Sequence, residues 1–588
     1  MRFRSRTAAA GRVYAVTGTN TVSFAVLASD VTKAGLLGFA VRRYDLAAET
    51  DAWMPGFKVF RSLVPDPDAD TRVSTYDQPV QSFTWDDFTC QPNSRYRYVF
   101  HPLKGTPSDL DRSATPLTLS IRTEPLYGER HDVFFNRGVA SSQAYTKTYG
   151  NTRIADLDPD RRKQALGWLS RDLDEALLQF VDQTRSGDRL LGCFYEFAYE
   201  PAAIALKNAI DRGVDVRLIV DAKQNGSATT PAFPREENLA LLASAQIPMD
   251  RVVLREARTS DIAHNKFMVH VPAGSVPTQV WTGSTNLTLG GIAGQTNVGH
   301  WVRDPATALA FQSYWDLLSS DPGGRAGDTR SQVIAKNAAF RSAVEQLSPV
   351  PADLHAVPVG VTPVFSPRRT TTVLDEYAVL LDSASREGCI TFAFGVGAAF
   401  KALLSDNTTQ NAIVFMLLEK QDKPDPNHPT AFVRVNASNN VYQAWGSYLE
   451  NPVYQWARET NAALLGLNSH VSYVHSKFML IDPLGDDPIV VTGSANFSDA
   501  STTDNDENMV VVRGDRRTAD IYTTEFNRIF NHYYFRSVTE ATAGEPQSVL
   551  DASLFLSEDD SWEQKYAPGT LKSKRLALYQ AMTGFTRA

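Results

Sequence analysis

Two stretches of the chain each place a histidine two residues before a lysine, with a Gly-Ser-x-Asn turn downstream. The first is His264-Asn265-Lys266, followed by Gly283-Ser284-Thr285-Asn286. The second is His475-Ser476-Lys477, followed by Gly493-Ser494-Ala495-Asn496. The step from histidine to asparagine is 22 residues in one copy and 21 in the other. A duplicated set lets two histidines meet at one pseudo-twofold site, and that combination suits the breaking of a phosphodiester. One histidine attacks phosphorus and the other protonates the leaving alkoxide, then activates water. Lys266, Lys477, Asn286 and Asn496 hold the phosphoryl oxygens, with Ser284 and Ser494 reaching the same spot. The chemistry needs no metal or other cofactor, and the sequence offers no carboxylate cage for a cation.

These residues need strands to carry them. In a strand, residues i and i+2 share a face, so His264 and Lys266, or His475 and Lys477, emerge side by side about 7 Å apart. Phe267 and Phe478 turn the other way, into a core. Two regions, 130–345 and 360–540, repeat one order of elements. Each has an apolar opening (Val133–Asn136; Val364–Pro367) and a helix beginning Leu-Asp-Glu at 173 or 374. A strand (190–199; 389–396) and a second buried strand (216–221; 413–418) follow. Strands alternating with helices predict a mainly parallel α/β sheet covered on both faces, built twice. Residues 13–123 differ. Short alternating segments at 13–16, 22–27, 39–44, 94–100 and 117–123, separated by turn formers, predict a β-sandwich that resembles a fibronectin type III module. The expected division is a sandwich over 1–124, repeats over 125–350 and 351–544, and a tail over 545–588. The tail has an acidic stretch (Glu558, Asp559, Asp560) and a basic one (Lys572, Lys574, Arg575), and reads as a solvated surface segment.

The paired motifs resemble the phospholipase D superfamily, whose signature is HxKxxxxD, then GSxN, then an acidic residue. The resemblance covers both repeats, about two thirds of the chain. It implies a bilobal α/β/α sandwich and a two-step phosphoryl transfer through a phosphohistidine. The second copy is complete, with His475, Lys477, Asp482, Asn496 and Glu507. The first has Val271 where Asp482 aligns, and Asn297 where Glu507 aligns. Asp482 falls on the opposite strand face from His475 and reads as structural. In the family these groups cross between lobes, so the resemblance implies that Glu507 holds His264 while Asn297, a candidate substrate contact, also touches His475. A carboxylate raises imidazole basicity and fixes its tautomer. That makes His264 the nucleophile and His475 the acid. Similar acid-for-amide asymmetry in tyrosyl-DNA phosphodiesterases keeps a nucleic-acid substrate open.

Other candidates carry less. His270 lies about 13 Å along the strand from the site and reads as a rim or structural residue. Tyr195 and Glu196 end a strand that opens at the cleft or caps the next helix. His300, His470 and Tyr473 flank the motifs. The Pro- and Asn-rich stretch 421–440 reads as a lid or a surface excursion.

Three function classes follow: hydrolysis or transfer of phospholipid head-group esters; a metal-independent nuclease or DNA-adduct phosphodiesterase; and a catalytically silent scaffold, against which the intact His, Lys and Asn pairs argue. The 588-residue chain carries a net charge of −8, so no global positive field draws in nucleic acid. With 10% aromatic residues it suits a lipid-like ester better than a polyanion. Cys90, Cys193 and Cys389 form no ligand or disulfide pattern and fit a reducing compartment. No apolar run reaches the ~20 residues of a membrane span, and the basic N-terminus is a poor signal peptide. Both motifs in one chain suit a monomer.

Overall fold

The computed structural model describes residues 1–138, 152–406, 412–424, 435–446, 473–541 and 555–586, apart from 57, 68–70, 72 and 228, together with 145, 148, 149 and 433. The two repeats form two seven-stranded sheets with identical strand order. In the first lobe the strands are β1 (His131–Phe135), β2 (Arg189–Phe194), β3 (Asp215–Asp221), β4 (Val252–Arg255), β5 (Lys266–Val271), β6 (Gln279–Gly283) and β7 (Val298–Val302). They lie in the order β1-β7-β6-β5-β2-β3-β4. The second lobe has β8 (Gly360–Ser366), β9 (Glu387–Phe392), β10 (Ile413–Leu418), β11 (Val441–Trp445), β12 (Phe478–Ile481), β13 (Ile489–Gly493) and β14 (Glu507–Arg513). Their order is β8-β14-β13-β12-β9-β10-β11.

Each sheet is mixed rather than mainly parallel. Only β2-β3-β4 and β9-β10-β11 run parallel, with helices in the connections β2-β3, β3-β4 and β9-β10. The motif strands and those beyond them are antiparallel. The reason is local: short connections after β5 and β12 permit a hairpin, which a parallel pair cannot use.

Helices Pro305–Ser319 and Arg516–Ala541 lie between the sheets. Around them Phe135, Phe267, Phe311 and Tyr314 of the first lobe share one core with Phe365, Phe478, Tyr522 and Phe526 of the second. Tyr314 stacks on Phe365 at 4.4 Å and donates to the Ser366 carbonyl at 2.5 Å. Separate outer cores cover the far faces: Leu173, Leu177 and Phe180 in one lobe, Leu374 and Leu381 in the other. The strands are therefore buried on both faces, which explains their continuous apolar runs.

The N-terminal region is a two-sheet sandwich. One sheet holds Arg2–Arg4, Gly11–Thr17, Val22–Ala28 and Thr84–Asp87; the other holds Gly38–Asp45, Thr50–Trp53, Arg95–Thr106 and Leu117–Arg122. The tail departs from the surface-segment expectation. Phe555–Leu556 pairs with Val59–Phe60, and Trp562 is 1% exposed in the sandwich core, its indole N–H donating to the Leu36 carbonyl at 2.9 Å. Charge patterning of 558–575 concealed one large aromatic whose burial decides the placement. Arg2 is likewise buried, donating to Asp520 at 2.8 Å and to the carbonyls of Pro483, Leu484 and Gly485. No helix among the described residues is long and apolar enough to cross a membrane.

Candidate active site

His264 and His475 each sit just before a motif strand, at the pseudo-twofold centre, and line one cleft of about 940 Å³. Behind each ring the Nδ1 is tied by the other lobe. His264 Nδ1 lies 2.8 and 2.9 Å from the two Glu507 carboxylate oxygens. His475 Nδ1 lies 2.9 Å from Asn297 Oδ1. The amide orientation of Asn297 is fixed independently, since its Nδ2 donates to the Gly291 carbonyl and its Oδ1 accepts from Ser284. In both cases Nδ1–H is the donor and Nε2 is left facing the cleft.

Glu507 is backed by Ser494 Oγ at 2.7 Å and Ser501 Oγ at 3.1 Å. Three donors onto two oxygens suit the carboxylate form. Burial pushes this carboxyl up, to about 8, against the pull of Lys266, Lys477 and the two hydroxyls. Burial also pushes both imidazoles well below their usual range, with the two lysines adding to the effect. The lysines respond the same way: Lys266 falls to about 8 and Lys477 further, burial being the main cause. Each ammonium curls back to the carbonyl of its own histidine at 2.6 Å. A phosphodiester anion entering the cleft favours both ammonium forms, and their charge in turn favours ionised Glu507.

Several sequence assignments change. Ser284 and Ser494 are not substrate contacts: both are fully buried, holding Asn297 and Glu507 respectively. Asn297 is itself fully buried behind His475, with both amide atoms engaged, so it positions the ring. Asn286 and Asn496 line the cleft, each with a buried Oδ1 that has no partner among the described residues. The Asn286 Nδ2 donates to Glu196. Tyr195 and Glu196 open at the cleft, the Tyr195 ring packing 5.1 Å from His264 and 5.5 Å from Lys266 Nζ.

His270 binds Asp188 at 2.9 Å and is structural. His300 bridges His131 and Tyr522 in the interior. Tyr473 packs near Tyr533 and does not line the described cleft. His470 and part of 421–440 lie outside the described residues. Asp482 anchors the start of β9 by accepting from the backbone N–H groups of Ser385, Arg386 and Glu387. In the first lobe Asp188 anchors the corresponding end, accepting from the backbone of Arg185 and Ala273, which accounts for the tolerance of Val271.

Two further devices escaped the sequence reading. Asp221, ending β3, accepts from the Ala263 N–H at 2.8 Å. Glu419, following β10, accepts from the Tyr473 and Val474 N–H groups at 3.0 and 2.7 Å. Both clamp the backbone just ahead of a histidine, and the only sequence sign was an acid closing each equivalent strand. Next to Glu507, Asp506 takes Arg255 at 2.8 Å and Arg258 at 3.4 Å across the lobe boundary, while Arg255 also meets Asp321 at 2.7 Å. Among the described residues no group of three or more His, Cys, Asp or Glu could hold a metal ion.

No curated protein matches the sequence closely enough to count as a relative. Solved structures to which the chain is similar include a phosphatidylserine synthase from Haemophilus influenzae (11% identity, 70% of this chain and 93% of the other, TM-score 0.40). A yeast tyrosyl-DNA phosphodiesterase matches at 12% identity over 59% and 89%, TM-score 0.29. A Porphyromonas gingivalis polyphosphate kinase matches at 12% over 58% of this chain, TM-score 0.35, and the match spans 46% of the kinase. A family model described as cardiolipin synthase, PLD-like domain, matches residues 177–318 and 379–530, half of the chain and both motif sets. On that duplicated match the chain belongs to the phospholipase D superfamily.

Proposed function

We propose that the protein is a phosphodiesterase of phospholipase D type that hydrolyses, or transfers to an alcohol, the head-group ester of a phospholipid. The single observation that carries the mechanism is the unequal backing of the two histidines, a carboxylate on His264 and an amide on His475. His264 Nε2 attacks phosphorus. The N–P bond forms as the P–O bond to the leaving alcohol breaks, and His475, having gained an Nε2 proton from solvent as the phosphodiester anion binds, delivers that proton to the leaving oxygen. In the second step His475 takes a proton from water or an acceptor alcohol, whose oxygen displaces His264 and releases the phosphomonoester or the new diester. Lys266 and Lys477 neutralise the phosphoryl oxygens during both steps. Glu507 and Asn297 act only through the rings they hold.

The substrate class rests on the cleft wall. It carries Glu196, Glu237 and the apolar side chains of Phe233, Ile262, Leu289 and Phe394. Among the described residues of the wall, the charges beyond the histidines are acidic, which opposes a strand of successive phosphates and accepts an ester with an apolar body.

Phosphatidylcholine, phosphatidylglycerol, single-stranded DNA and a chromogenic phosphodiester should be compared with chelator present across a salt series. Turnover of lipid or small diesters above DNA is expected. Fast, salt-sensitive DNA cleavage without lipid turnover would transfer the assignment to a nuclease or DNA-adduct phosphodiesterase. His264→Ala should abolish the covalent intermediate, whereas His475→Ala should still form it with a leaving group that needs no proton. Label retained on the first variant and lost from the second reverses the roles.

A further inference from the structure

A second pocket, of about 530 Å³, lies where the β-sandwich meets the C-terminal segment, and it shares no lining residue with the catalytic cleft. Three lysines border it from three elements. Lys58 precedes the strand Val59–Phe60, Lys565 belongs to the 3-10 helix Asp560–Tyr566, and Lys572 sits in the first turn of the helix Leu571–Gln580. Burial, followed by the like charges of Lys565 and Lys572, brings Lys58 down to about 7. Lys572 is lowered by burial and then by Arg575. Among the described residues, no carboxylate figures among the charges acting on any of the three.

Two acids do line the pocket, and both are engaged elsewhere. Asp86 accepts from Ser23 and Asn531, each at 2.6 Å. Asp87 accepts from Tyr98 at 2.7 Å and Arg43 at 2.8 Å. The remaining wall is largely apolar, with Trp85, Phe88, Phe555 and Leu556, and Phe88 is 49% exposed. Like charges gathered in a half-enclosed space destabilise the protein unless an anion joins them.

We propose that this pocket binds a phosphate-bearing ligand, its phosphate held by Lys58, Lys565 and Lys572 and its organic part resting on Trp85, Phe88 and Leu556. The site stands whether or not the cleft is a phospholipase centre.

The test is calorimetry on the full chain with inorganic phosphate, glycerol phosphate and dihexanoyl phosphatidic acid, with glycerol as the uncharged control. Wild type should show a phosphate site that the Lys58→Gln/Lys572→Gln variant weakens by about tenfold or more, the size expected for lost charged hydrogen bonds. Phosphodiesterase activity should not change. Equal affinity for the three phosphates assigns the ligand to free phosphomonoesters; a preference for the phosphatidic acid assigns it to a lipid head group. Without ligand, the double variant and the exposed Lys565→Gln should both unfold at higher temperature than wild type, because repulsion is relieved. Unchanged phosphate binding in the variants, or a lower unfolding temperature for Lys565→Gln, would overturn the proposal and make the lysines plain structural residues.

Discussion

Replacing Glu507 by Gln keeps the side chain's volume and removes its charge, which makes the backing of His264 resemble that of His475. The variant amide can still accept Nδ1–H if its NH2 group turns to a serine hydroxyl, so the ring's tautomer survives. What is lost is stabilisation of the positive charge that grows on the imidazole as the N–P bond forms. A charge-assisted hydrogen bond contributes about 1.5–3 kcal/mol and a neutral one about 0.5–1.5. Through-space attraction adds to that difference, a full charge roughly 4 Å away being worth about 4 kcal/mol at an effective dielectric of 20. Only part of that charge develops in the transition state, so the loss should be about 2–4 kcal/mol, a slowing of roughly 30- to 1,000-fold. The assay is the burst of nitrophenol from a chromogenic phosphodiester, with the phosphoryl group located by mass spectrometry after a denaturing quench. Adding Asn297→Asp to Glu507→Gln should move the label to His475. A burst slowed by less than about threefold, or label remaining on His264 in the double variant, would refute the inference that unequal backing selects the nucleophile.

The raised Glu507 carboxyl also sets a pH dependence. kcat/KM, which reports the free enzyme, should fall as pH drops below about 8. Glu507→Gln should flatten that limb. Because this group binds its proton more tightly folded than unfolded, stability should decline as pH rises from its ordinary 4.5 towards 8. The Gln variant should lose that decline, seen in unfolding temperatures across a pH series. Asp506→Asn leaves Arg255 and Arg258 buried with less compensation and should destabilise by about 3 kcal/mol in urea titration; a loss below about 1 kcal/mol would mean that Asp321 suffices. Trp562→Ala should cost about 3–5 kcal/mol and expose 555–586 to protease, and an unchanged digestion pattern would contradict its place in the core.

Much of the site was legible because its chemistry repeats. Closely matched spacing in two copies brought His264, His475 and both lysines to notice, and aligning the copies exposed Glu507 against Asn297. What stayed hidden was direction. Residue type could not say that Ser284 and Ser494 point behind the histidines, since a short hydroxyl serves substrate or scaffold equally well. Strand polarity escaped for a related reason: apolar runs report burial on two faces, not which way a neighbour runs. Asp221 and Glu419 act through backbone N–H groups, which leave no mark on the sequence they hold. The sandwich strands were readable from their period of two, whereas Trp562 was overlooked because one aromatic in a charged stretch makes no period.

The burial of Trp562 beneath Leu36 has a bearing on how the chain is made. A ribosome must release residue 562 before the domain it began more than 500 residues earlier can close its interior. Until then that domain presents an unfilled hydrophobic slot, while both lobes between have had time to form. The sandwich is thus completed only after both lobes that follow it have emerged, and a chaperone guarding the nascent chain would find its longest-lived client there.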